Sequence, residues 1–250
     1  MNQWLQNDER MDQLLRHDLN IIQSPTVFSF SLDAVLLADF AQVPLHNRAN
    51  IVDLCAGNGV IGLLLSQKTK SPVVGIELQP RLVDMARRSI QLNDLEEQLS
   101  VVEGNIADAA TWIKKDTVDV VTCNPPYFAA SKKSSRNPNH HLAIARHELY
   151  TDLEEVIEVT SGLLKMNGKA YFVHRPDRLL EILATMKKHR LAPKKIRFVY
   201  PKFEREANIV LIEGIKDGKE TGFRVLSPLF VYDQDNHYLP EVSKLLYGEN

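Results

Sequence analysis

Cysteine is scarce in this chain of 250 residues: Cys55 and Cys123 are the only two. Two thiols cannot build a disulfide framework, and a chain of this length has no need of one. Both close apolar runs and are read as reduced, buried residues. Long apolar runs are missing too. No window approaches the roughly 20 residues that a membrane helix needs, and Met1 to Arg16 hold nothing like the core of a signal peptide. The expected compartment is therefore the cytoplasm, with no membrane partner. Net charge is equally scarce. Thirty Lys and Arg against 32 Asp and Glu give −2, which excludes a uniformly basic surface and confines any nucleic-acid role to local patches. Repeats and low-complexity tracts are absent. What is present is ordinary: 44% hydrophobic and 25% charged residues, the balance of a globular protein of one domain with modest additions.

Residues 8–16 have helix-like spacing, and Leu19 to Phe30 read as extended or looped. Ser31-Leu32-Asp33 then leads into an apolar helix, Ala34 to Phe40. From Ile51 the pattern alternates. Strands are expected at Ile51–Cys55, Val73–Glu77, Leu99–Glu103, Val118–Cys123 and Lys169–His174. Between them fall helices at Val60–Lys68, Pro80 to about Asn93 and Leu153–Lys165, with another at Pro176–His189 after the last. Ile196–Tyr200 and Asn208–Ile215 have no helix between them and should pair as a hairpin. The fold class is therefore α/β: a mostly parallel seven-stranded sheet with a C-terminal antiparallel hairpin and helices on both faces. The stretch from Gly222 to Asn250 is an extension whose pattern is too weak to place.

Two motifs carry chemistry, and each directly follows an apolar strand. The first is Asp53-Leu54-Cys55-Ala56-Gly57-Asn58-Gly59. Gly57 and Gly59 present no Cβ, so a ligand can approach the backbone closely where a parallel strand ends. With Gly62 the spacing formally satisfies the dinucleotide fingerprint, but a lone match of that kind is weak, and a plain tight turn would look the same. Asp53 and Asn58 suit an amino-acid moiety better than a phosphate, and Glu77 at the next strand end can take both hydroxyls of a ribose. The second motif, about seventy residues on, is Asn124-Pro125-Pro126-Tyr127. The Asn124 side-chain oxygen and the Pro125 carbonyl can accept the two hydrogens of a planar amine, and consecutive prolines fix the backbone that presents them. Tyr127 offers a flat face to a base. The pattern suits methylation of a planar nitrogen without choosing among adenine N6, guanine N2 and a glutamine amide.

The series DLCAGNG, GIELQP, EGNIAD and NPPYF resembles that of class I, Rossmann-like S-adenosylmethionine-dependent methyltransferases. The resemblance implies S-adenosyl-L-methionine as cofactor. Asp53, Gly57 and Gly59 would hold its methionine part and Glu77 its ribose. Leu78, Asn105 and Ile106 would lie against the adenine, Asn105 standing where amine-methylating relatives usually carry Asp. The flanking stretches RMDQLLRHDLNIIQ, FSFSLDAVLLADF and LSPLFVYDQDNHYLPEV resemble the bacterial tRNA(Val) adenine-N6 methyltransferase group. That resemblance implies methylation of an adenosine N6 in RNA, tRNA in particular. It also implies a lid over the cofactor and the target amine formed by Phe30, Ser31 and Asp33. The expected organisation is then an N-terminal extension, 1–50, folding over the crevice, a catalytic core, 51–221, and a C-terminal extension, 222–250.

Charge placement agrees with an RNA partner. No acid occurs between Val120 and His147, a stretch that holds Lys132, Lys133, Arg136 and Arg146, and Lys187 to Arg205 carries eight basic residues against Glu204. Phe128, Lys132, Lys133, Arg136, Lys194, Lys195, Lys202 and Arg205 are the candidate contacts, although solvated lysine faces are common without any ligand. His140 and His141 lack partners at ligand spacing, so no metal is expected. A protein glutamine methyltransferase is the first rival, disfavoured by the short stretch ahead of Ile51. An RNA guanine-N2 methyltransferase stays open on the motif alone. A DNA adenine methyltransferase would need a target-recognition domain, a non-catalytic RNA-binding module would not keep Asn124 and Glu77, and a nicotinamide dehydrogenase would bind a different ligand.

Overall fold

The computed structural model describes residues 3–14, 18–27, 31–127 and 151–248. Strands β3 (Ile51–Leu54), β4 (Val73–Glu77), β5 (Leu99–Glu103), β6 (Val118–Cys123) and β7 (Leu164–His174) run parallel. Strand β9 (Ile209–Lys216) pairs antiparallel with β7 and with β8 (Leu191–Tyr200). The spatial order is β5-β4-β3-β6-β7-β9-β8, the expected seven strands with the expected hairpin. Two short strands, β10 (Arg224–Val225) and β11 (Leu229–Phe230), extend the outer edge of β8 and make the sheet nine-stranded.

Strand alternation divides the core in two, because successive residues point to opposite faces. Ile51, Val73, Val120 and Tyr171 bury one face under α1 (Leu32–Phe40), α2 (Val60–Ser66) and α3 (Pro80–Leu92). Val52, Ile76, Val121 and Phe172 bury the other under α4 (Leu153–Leu163) and α5 (Leu179–Lys188). The tail, which carried no readable pattern, runs along β8 and ends in α6 (Pro240–Tyr247), whose Val242 joins the first core.

The N-terminal stretch is the main departure from expectation. In place of helical structure, β1 (Arg10–Leu14) pairs antiparallel with β2 (Leu19–Gln23). The reason is tertiary. Ile22 and Val27 pack on Leu82 and Met85 of α3, and the free backbone edge of β2 is capped by α3 side chains, Ile22 N–H donating to Ser89 Oγ and Asn20 N–H to Asn93 Oδ1. Arg88 on α3 also grips Glu9 with both terminal nitrogens, at 2.7 and 2.9 Å. Contacts of this kind override a local helix preference. Strand β8 also begins earlier than the expected Ile196, taking in Pro193, Lys194 and Lys195; Pro193 sits at an irregularity of the pairing, a place where a missing N–H is tolerated.

Candidate active site

Parallel strands deliver their carboxyl ends to one edge of the sheet, where ligands bind in open α/β folds. Strand β3 lies between β4 and β6, and Leu54 is in register with both Ile76 and Cys123. The Gly57–Gly59 loop is therefore flanked by Glu77 on one side and by Asn124 on the other. Gly57 (φ +56°) and Gly59 (φ +84°) both adopt the left-handed region, and a Cβ added at Gly57 would meet nothing within 4 Å. The loop is open on the side where Gly57 has no side chain.

Two buried carboxylates adjoin the loop: Glu77, bonded to Gly57, and Asp53, on the strand that leads into it. Asp53 is 1% exposed; its Oδ1 accepts from Thr122 Oγ at 2.7 Å, and its Oδ2 has no partner. Burial pushes its pKa up to about 7, partly offset by the Thr122 bond, with the Glu77 charge adding to the rise. Glu77, also buried, accepts Gln79 N–H on Oε1 and Gly57 N–H on Oε2, both at 2.9 Å. Burial raises its pKa in spite of those bonds. Among the described residues no cation pairs with either carboxylate. Each Glu77 oxygen keeps a lone pair, which fits two adjacent hydroxyls, and the orphaned Asp53 oxygen fits an ammonium. These residues fit the amino-acid and ribose parts of S-adenosylmethionine.

The other candidates divide. Asn58 is buried, and its Nδ2 donates to Ile22 carbonyl at 3.1 Å, tying the loop to the N-terminal hairpin. Leu78 is half-buried beside Glu77 and Ile106 fully buried. Asn105 Oδ1 caps the following 3-10 turn by accepting Ala107 N–H at 3.1 Å. Ser31 is the N-cap of α1, yet its side chain makes no cap bond, and its Oγ is buried without a partner. Pro125 is buried; Asn124, Pro126 and Tyr127 are half-buried. The Tyr127 hydroxyl lies 2.6 Å from Asn124 Oδ1 and 2.8 Å from Asp33 Oδ2, so the start of α1 reaches the Asn-Pro-Pro-Tyr motif directly. Burial, and next the Asp33 charge, raise the Tyr127 pKa well above its ordinary value, keeping it a neutral phenol.

Two residues that sequence reasoning passed over join this set. Thr122 holds Asp53. His174, at the end of β7, is 1% exposed and stands with its ring 5.2 Å from that of Tyr127. Its Nδ1 accepts Arg175 N–H at 2.8 Å while its Nε2 is buried without a partner. Burial, aided by the Arg178 charge, lowers its pKa to about 4. A polar residue closing the strand after the one that carries Asn124 was the available signal.

The basic candidates are more scattered. Lys195 is in register with Glu213, Tyr171, Thr122 and Asp53, at mid-sheet level and three strands from β6. Its amine pairs with the buried Glu213 at 2.9 Å. Lys194 donates to the carbonyls of Lys219 and Thr221. Lys202 and Arg205 follow the end of β8, on the same edge as Asn124; Lys202 donates to Gln234 carbonyl at 2.8 Å, and Arg205 is exposed. Phe30, Phe128, Lys132, Lys133, Arg136, His140 and His141 lie outside the described residues. Among the described residues no helix is long and apolar enough to cross a membrane.

Comparison with known proteins agrees with this geometry. The chain is similar to a tRNA1(Val) (adenine(37)-N6)-methyltransferase of Actinobacillus succinogenes, 30% identical over 85% of this chain and 86% of that protein. A protein of the same name from Porphyromonas gingivalis is 27% identical over 78% of this chain and 77% of its own length. Among solved structures, a predicted O-methyltransferase of Agrobacterium tumefaciens superposes with a TM-score of 0.67 at 23% identity, covering 86% of this chain and 96% of that one, a likeness of fold. The family model described as "Methyltransferase small domain" matches residues 18–189. The chain belongs to the methyltransferase small domain family.

Proposed function

We propose that this protein transfers a methyl group from S-adenosyl-L-methionine to the exocyclic N6 of an adenosine in tRNA. The observation that carries the reading is the adjacency of two strand ends. The glycine loop, adjoined by the buried carboxylates Asp53 and Glu77, lies beside Asn124-Pro125-Pro126-Tyr127, with Leu54 and Cys123 in register between them. When bound, the cofactor supplies an electrophilic methyl group on a sulfonium.

The protein's own contribution is orientation. An adenine amine is a poor nucleophile because its lone pair is delocalised into the ring. Acceptance of its two hydrogens by Asn124 Oδ1 and the Pro125 carbonyl favours the rehybridised nitrogen and aims its lone pair; such positioning can supply about 7–11 kcal/mol of a barrier in favourable cases. The Tyr127 ring can carry the base, a stacking interaction worth about 1–3 kcal/mol. The proton released by the methylated nitrogen is acidic, so no strong base is required. The shared name of the two relatives supports the tRNA and adenine-N6 parts of the reading. Lys202 and Arg205, beyond the end of β8 on the same edge, suit pairing with its phosphates.

Incubation of the purified protein with methyl-labelled cofactor and either total bacterial RNA or total protein tests the reading. Label in the RNA fraction is expected. Label confined to protein would replace the reading with the glutamine-amide reaction.

A further inference from the structure

The Tyr127 hydroxyl presents a conflict of protons. It carries one hydrogen and sits within bonding distance of two oxygens, Asp33 Oδ2 at 2.8 Å and Asn124 Oδ1 at 2.6 Å. An ionised carboxylate and an amide oxygen both only accept. One proton cannot make a near-linear bond to both oxygens, and the pair that it leaves is an oxygen–oxygen approach without a good bond. The carboxamide offers the simple resolution, since its oxygen and nitrogen are close to isosteric and can exchange places by a half-turn. With Nδ2 toward Tyr127, the amide donates to the phenol oxygen and the phenol donates to Asp33. Both contacts of the Tyr127 hydroxyl then have a proton.

The exchange has a consequence for the reaction. The outer position of the Asn124 amide has no hydrogen-bond partner among the described residues. Turning the amide moves Oδ1 into that position and frees it for the substrate. We propose that Asp33 is a positioning residue: by taking the Tyr127 proton, it makes Asn124 present its oxygen, and not its nitrogen, to the target amine. This rests on the reading of Asn124 as the amine's acceptor and assigns the start of α1 a role distinct from covering the cofactor. Tyr127 works on both sides of the relay. Its hydroxyl sets the amide while its ring remains available to the base.

Loss of Asp33 has an unusual predicted result. In Asp33→Ala the phenol proton has no carboxylate to receive it, so it turns to Asn124 Oδ1 and captures the acceptor that the amine needs. The turnover number should fall by about 10- to 100-fold, the scale of a misplaced catalytic group. The KM for tRNA and the affinity for S-adenosyl-L-homocysteine should change far less. Removing the competing hydroxyl in the double variant Asp33→Ala/Tyr127→Phe should then restore part of the lost turnover. A role in packing or in covering the cofactor predicts the opposite, with the second substitution adding to the first.

The decisive experiment combines that kinetic set with hydrogen exchange of the Asn124 side-chain amide, followed by nitrogen-15 NMR. Slow exchange of one amide hydrogen is expected in the parent, because it is bonded to the Tyr127 oxygen, and fast exchange in Tyr127→Phe. A double variant less active than Asp33→Ala, or amide exchange indifferent to Tyr127→Phe, would overturn the proposal. The exchange measurement needs no turnover, so it judges the relay even if the RNA reaction itself is not found.

Discussion

Asp53 makes the sharpest prediction, because its environment and its proposed duty conflict. Its carboxyl is buried and has a pKa of about 7, so without ligand it is largely protonated at pH 6 and largely ionised at pH 8. An ammonium binds only the ionised form. The competent fraction therefore falls below pH 7, and from pH 6 downward by about tenfold per unit, a cost of about 1.4 kcal/mol per unit. Titration calorimetry with S-adenosyl-L-homocysteine, which carries the same amino group without reacting, should show affinity that weakens about fivefold from pH 7 to pH 6, about tenfold more from pH 6 to pH 5, and levels off above pH 8. Asp53→Asn should bind weakly and lose the slope. The stability sign is opposite. The folded pKa lies above the ordinary 3.8, so the group's contribution to the ligand-free fold is complete below pH 3.8 and lost as pH rises through 7. The rise in Tm on adding ligand should accordingly grow across that window. A flat affinity profile in the parent, or an equal slope in Asp53→Asn, would refute the assignment of Asp53 to the ligand's ammonium.

Asn124→Ala should lower turnover by at least about 100-fold, while affinity for S-adenosyl-L-homocysteine stays within about threefold, because the residue holds the acceptor and not the cofactor; calorimetry and single-turnover rates separate the two. Gly57→Ala should cost the fold about 1–2 kcal/mol for a Cβ in the left-handed region, read by chemical denaturation, and should cost ligand affinity more. Lys195→Ala leaves Glu213 buried and unpaired, so it should destabilise by about 3–5 kcal/mol; an unchanged denaturation midpoint would show the pair to be idle. Replacing Lys202 and Arg205 together should reduce the salt slope of tRNA binding by about 1–2, one for each phosphate no longer neutralised, as read by filter binding at graded salt.

The legible parts of this chain are those where one strand or helix carries its own signal. Val73–Glu77, Leu99–Glu103 and Val118–Cys123 are strands as read, because each is a short apolar run bounded by turn residues. Pro80 opens α3 as expected, its missing N–H costing nothing at a helix start. The strand-end carboxylates and the Asn-Pro-Pro-Tyr motif could be placed because parallel topology sends them to one edge. Residues 10–14 could not, since they pair with β2, which Ser89 and Asn93 hold, and follow Asp8 and Glu9, which Arg81 and Arg88 of α3 hold, all distant in sequence. The basic run from Lys187 to Arg205 divides in a way that only the fold shows. Lys194 and Lys195 belong to β8, whereas Lys202 and Arg205 lie past its end; Lys194, Lys195 and Lys202 are each bonded within the protein. His174 and Thr122 belong to no motif; His174 signalled only as a polar residue closing a strand, and their places beside Tyr127 and Asp53 emerge from the three-dimensional contacts.

The most direct test of the account is nucleoside mass analysis of bacterial tRNA after incubation with the protein and methyl-labelled cofactor, set beside the same reaction with Asn124→Ala. The account predicts label in N6-methyladenosine, and its loss in the variant. Label in N2-methylguanosine, or equal labelling of adenosine by the variant, would contradict it.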